Sequence, residues 1–79
     1  MEYLEIGQYI DDLEEALYEW ANSPVSWHCE LEKVQGLIKQ LMDDTFKETD
    51  KKNRTLLAML EYKARLIREC IIKRNRMEN

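Results

Sequence analysis

From Tyr3 onward the apolar residues of this chain recur at intervals of three and four: Tyr3, Ile6, Ile10, Leu13, Leu17 and Trp20. At about 3.6 residues per turn, that spacing lines one face of an α-helix with a seam that another helix must cover. A strand has no use for it, because strand side chains alternate every second residue. Tyr9 and Ala16 widen the seam on one side. Glu5, Asp11, Asp12, Glu15 and Glu19 hold the opposite face. The spacing predicts a helix over about residues 2–21.

The pattern resumes with Trp27, Leu31, Val34, Ile38 and Leu41, broadened by Leu37 and Met42, and predicts a second helix over about 24–46. Gly36 lies inside it, at a cost of up to about 1 kcal/mol relative to Ala. It either admits a close helix crossing or is incidental. Between the two seams stand Asn22, Ser23 and Pro24. Ser23 is a good N-cap, and Pro24 suits the first helical turn, where its missing N–H costs nothing. Ser26 is an alternative cap. So short a connection predicts that helices one and two pack as an antiparallel hairpin, with Trp20 and Trp27 packed together at the turn.

Lys47–Asn53 is polar and reads as the second turn, with Thr49, Asp50 or Asn53 capping the next helix; one continuous helix is the competing reading. A third helix is expected over about 54–76. Its apolar residues, Leu56, Leu57, Met59, Leu60, Ala64, Leu66, Ile67, Cys70 and Ile71, span half the circumference, with Tyr62 and Ile72 beyond them on opposite flanks. A helix covering one hairpin needs less than that, so the width implies contact with both other helices or with a second copy of the chain. Residues 75–79 are expected to fray.

These readings give an all-α fold in one domain, 1–79. It is an antiparallel helical hairpin plus a third long helix, completed into a bundle by homo-oligomerisation, a dimer being the first expectation. Size motivates the last step. A chain of 79 residues buries only about 60% of its unfolded surface. Two cysteines, Cys29 and Cys70, make no disulfide scaffold. The sequence begins acidic where a secretory signal is basic, and no apolar run approaches the roughly 20 residues that cross a bilayer. The expectation is a cytoplasmic protein with reduced cysteines and no membrane partner.

No constellation for catalysis or metal binding is visible. His28 and Cys29 are adjacent, so on a helix they point about 100° apart. They read as a partly exposed imidazole beside a small buried thiol. There is no Cys-x-x-Cys or His-x-x-x-His spacing and no glycine-rich phosphate loop. The paired carboxylates of helix one lie on a polar face, where they titrate as surface groups rather than as an acid–base pair. The chain is expected to be no enzyme and to carry no cofactor.

Charge is the remaining signal. Residues 1–32 hold nine acids and no Lys or Arg, whereas residues 33–79 hold seven acids and twelve bases. Lys63, Arg65, Arg68, Lys73, Arg74 and Arg76 form a basic cluster able to meet a partner or the phosphates of nucleic acid or a nucleotide. The plainer reading is that Glu61–Arg65 and Glu69–Lys73 pair along the helix and that acidic helix one lies beside basic helix three. Lys63 falls among apolar neighbours, so it stands at a helix edge or points into an interface. Asp11, Asp12, Glu15 and Glu19 form a candidate acidic partner face. A row of this kind can imitate DNA phosphates, though a solvated face is far commoner. Tyr9, Tyr18 and Tyr62 are expected to be partly exposed, and Tyr near Arg is a frequent hot-spot composition. The function expected is a small protein-interaction module. It would be a regulator, adaptor or inhibitor of the kind that viruses and mobile elements carry, docking on an unidentified partner protein. Nucleic-acid or nucleotide binding through helix three is the alternative.

Overall fold

In the computed structural model, which describes residues 3–19 and 27–77, the chain forms three α-helices: α1 (Tyr3–Tyr18), α2 (Trp27–Lys47) and α3 (Lys51–Met77). No strand occurs among the described residues. The Ser23–Pro24 cap, and Trp20 of the expected Trp20–Trp27 contact, lie outside the described residues. Glu19 closes α1 by donating its N–H to the Ala16 carbonyl at 3.2 Å.

The polar stretch after Lys47 does break the helix, but over three residues only. Two carboxylates build the turn. Glu48 Oε1 accepts the N–H groups of Thr49 and Asp50 at 3.1 and 3.0 Å. Asp50 Oδ1 then accepts those of Lys52 at 2.8 Å and Asn53 at 3.4 Å. Asp50 is therefore the N-cap, and α3 begins at Lys51 rather than Arg54. At its other end α3 stays helical through Met77, past the point where fraying was expected. Its 27 residues, at about 1.5 Å each, run nearly the whole 43 Å length of the molecule.

The closest helix pair is α2 with α3, joined by that tight turn; α1 approaches α3 more closely than it does α2. The intimate hairpin is thus the second pair, not the expected first. Tyr3 reaches Asp44 near the end of α2 and Tyr9 reaches Glu30 near its start, so α1 runs antiparallel to α2. Gly7 lies beside Leu60 and Asp11 beside Lys63, so α1 runs parallel to α3. A Cβ on Gly7 would sit 3.6 Å from Leu60 Cδ2, which is ordinary contact at the α1–α3 crossing.

The core takes one stripe from each helix: Ile6, Ile10 and Leu13; Trp27, Val34, Leu37, Ile38 and Leu41; Leu57, Leu60, Ala64, Ile67 and Ile71. Tyr3, Tyr9, Ala16, Leu17 and Leu31 flank it, partly buried. The α3 stripe is narrower than its apolar half-circumference. Leu56, Met59 and Leu66 are exposed, as is Cys70. α1 and α2 both pack on the 57–60–64–67–71 line, leaving the neighbouring line in water. Met42, expected to broaden the α2 stripe, is also exposed.

Gly36 is exposed, and a Cβ built there meets nothing within 4 Å, so it serves no helix crossing. Gly36→Ala should therefore raise stability by about 0.5–1 kcal/mol through helix propensity alone. Urea denaturation with an unchanged m-value would register the gain. A loss of stability would mean that the glycine faces a neighbour.

Candidate interaction surface

The chemistry-bearing residues are dispersed. No group of three or more His, Cys, Asp or Glu side chains is placed to hold a metal ion among the described residues. His28 and Cys29 are both exposed. The expectation of a buried thiol at Cys29 is corrected: Trp27 takes the inward position, and two residues further on the helix has turned about 200° away from the core. No helix among the described residues is long and apolar enough to cross a membrane.

Lys63, Arg65 and Arg68 of α3 stand against carboxylates. Lys63 Nζ lies 4.0 Å from Asp11 Oδ1 across the α1–α3 boundary, with both side chains more than half exposed. That places Lys63 at a helix edge and acidic α1 beside basic α3. Arg65 Nε lies 3.4 Å from Glu61 Oε2, and its Nη2 donates to Met42 Sδ at 3.3 Å. Arg68 pairs with its neighbour Glu69 at 3.7 Å. Glu69 thus turns to Arg68 rather than to Lys73, the partner expected from helical spacing. Lys73, Arg74 and Arg76 are exposed toward the end of α3. Exposed ion pairs such as these contribute about 0–1 kcal/mol each. On α1, Asp11, Asp12, Glu15 and Glu19 all face solvent, with Asp12 accepting from Gln8 Nε2 at 2.9 Å.

Two tyrosines tie α1 to α2. The Tyr9 hydroxyl donates to Glu30 Oε2, and Lys33 flanks the same carboxylate at 3.6 Å. The Tyr3 hydroxyl donates to Asp44 Oδ2 at 3.2 Å. Desolvation, then the hydrogen bond and charge of Glu30, push the Tyr9 phenol well above its ordinary 10.0. Desolvation and the Asp44 carboxylate raise Tyr3 as well. A phenol raised in the folded state is neutral there while the unfolded chain ionises. Its contribution is intact below about pH 10 and is lost as pH climbs from there toward the higher folded value. Melts at rising pH should show stability falling above about pH 10, and Tyr9→Phe should flatten that fall. At neutral pH the same substitution should cost about 1 kcal/mol for the lost hydrogen bond. Parallel alkaline profiles for both proteins would contradict the Tyr9–Glu30 contact.

What remains is apolar surface, in two places. Along α3 the exposed residues Leu56, Met59, Lys63, Leu66, Cys70 and Lys73 repeat at 3, 4, 3, 4 and 3, a second heptad line beside the buried one. Where this line meets α1, a groove of about 340 Å³ opens between Leu17 and Tyr18 on one side and Leu66, Ile67 and Cys70 on the other, with Glu14, Lys63 and Arg74 at its margins. On the other side of α3, Met42 and Phe46 share a face of α2 at i, i+4, and Phe46 is 91% exposed. Arg65 reaches Met42 there, and Tyr62 stands exposed one turn before Arg65. Tyr62 and the basic residues are legible as surface candidates in the sequence; Phe46 belongs to no apolar seam. Its isolation from the α2 heptad line was the available signal.

No protein-family model matches the chain, and neither a curated protein nor a solved structure matches it.

Proposed function

We propose that the chain is a non-enzymatic protein-interaction module that docks through the α2–α3 side of the bundle. The observation that carries this reading is that Met42, Phe46 and Tyr62 are large side chains held in water on the side of the bundle where Arg65 reaches Glu61 and Met42. Soluble chains keep such surface small unless a partner covers it. Aromatic residues and Arg dominate the energetics of interfaces. The size of the chain and its dispersed chemistry suit a regulator, adaptor or inhibitor.

Anion binding by α3 has weaker support, because Lys63, Arg65 and Arg68 already stand beside carboxylates. The two readings separate by mutation and by salt. Affinity capture of partners from the native host should lose its specific protein with Phe46→Ala and with Tyr62→Ala, each by about ten-fold or more. Circular dichroism of both variants should stay that of the parent. Capture indifferent to both substitutions, yet abolished by Arg65→Ala with Arg68→Ala and falling steeply between low and moderate salt, would favour phosphate binding instead.

A further inference from the structure

We propose that the α1–α3 face is covered by a second copy of this chain, packed about a two-fold axis that runs lengthwise between α1 and α3. The proposal extends the interaction-module reading to a different face and names its occupant.

The face is built from two exposed lines. On α1, Leu4, Asp11 and Tyr18 recur every seven residues and so share one side of the helix; Leu4 is 88% and Tyr18 83% exposed. On α3 the line is Leu56, Met59, Lys63, Leu66 and Cys70. The two lines are level with each other at an offset of 52 to 53 residues: Gly7 with Leu60, Asp11 with Lys63, Tyr18 with Cys70 in the groove. The same offset sets Leu4 level with Leu56.

Because α1 and α3 are parallel and level, a lengthwise two-fold lays α1 on the partner's α3 with like meeting like in polarity. Leu4 meets Leu56 of the partner subunit, and Tyr18 meets Cys70 of the partner subunit. Asp11 meets Lys63 of the partner subunit, so two Asp11–Lys63 pairs alternate in sign around the axis. The axis at right angles to the helices is the other way to stack these faces. It puts acidic α1 on acidic α1 and Lys63 among the bases of a second α3, and like charges oppose it. The segregation of charge between the helices therefore selects both the occupant and the symmetry.

Light scattering across a wide range of concentration should move from 9.6 kDa to twice that mass. Met59→Lys and Leu66→Lys replace exposed side chains, so helix content should persist while association weakens by roughly thirty-fold or more, as at an interface hot spot. Electron-spin distances test the symmetry, using a label on Asn53→Cys with Cys29→Ser and Cys70→Ser. The lengthwise axis keeps the labelled ends together, well inside the 43 Å length of the molecule. A label separation near that length would overturn the symmetry. A monodisperse monomer at high concentration, or a dimer unaffected by both lysines, would overturn the proposal. Neither result touches Phe46 or Tyr62, so the α2–α3 docking reading is judged separately.

Discussion

Leu57→Ala should cost about 2–5 kcal/mol, whereas Leu56→Ala, one residue earlier in the same helix, should cost less than about 1 kcal/mol. Leu57 is 0% exposed and Leu56 46%. Truncating the first leaves a cavity lined by the other core side chains; truncating the second gives a surface that water already reaches. For a domain of this size about 1 kcal/mol moves the melting temperature by roughly 4–8 °C. The Leu57 variant should then melt at least about 10 °C below the parent and the Leu56 variant within a few degrees of it. Thermal melts in dilute solution, where self-association does not contribute, make the comparison. Equal losses at both positions would mean that α3 is rotated from the orientation described.

The second large effect concerns α1. Ile10 is buried between α1 and the α2–α3 pair, and Ile6 one turn earlier is buried with it. If α1 were an appendage on an independent hairpin, Ile10→Ala would loosen α1 and leave α2 and α3 in place. A two-helix hairpin has too little apolar surface to hold itself together, so the three helices should melt as one unit. Ile10→Ala should cost about 2–5 kcal/mol of global stability and keep a single transition by far-ultraviolet circular dichroism and tryptophan fluorescence alike. Two separated transitions would show α1 to be dispensable.

Most of the fold was legible in the seams. Ile6, Ile10 and Leu13 on α1 and Trp27, Val34, Ile38 and Leu41 on α2 are buried as their spacing requires. α3 was harder, because two lines of equal periodicity lie side by side and periodicity alone does not rank them. The deciding signal was present: 57–60–64–67–71 is wholly apolar, while 56–59–63–66–70 is interrupted by Lys63. A charged side chain in the middle of a core stripe has to be paired or exposed, and here it is both. α3 starts three residues before the position its apolar spacing predicts. Lys51, Lys52 and Asn53 are polar and resemble a loop, yet the Asp50 carboxylate satisfies the first N–H groups and lets the helix begin at once. The helix pairing depended on comparing two short connections. The Glu48–Asp50 turn gives the tighter pair because its side chains hold both helix ends. The surface residues were the least legible. Phe46 stands off the α2 heptad line, and its position on the folded bundle, one turn beyond exposed Met42, is what marks it as surface.

The central claim is that α3 carries two apolar lines and that the folded chain buries only one of them. Hydroxyl-radical footprinting of the dilute protein, resolved by residue, tests this most directly. Leu56 and Leu66 should be modified readily while Leu57 and Leu60 are spared. Protection of all four leucines, or modification of Leu57 and Leu60 in place of Leu56 and Leu66, would contradict it.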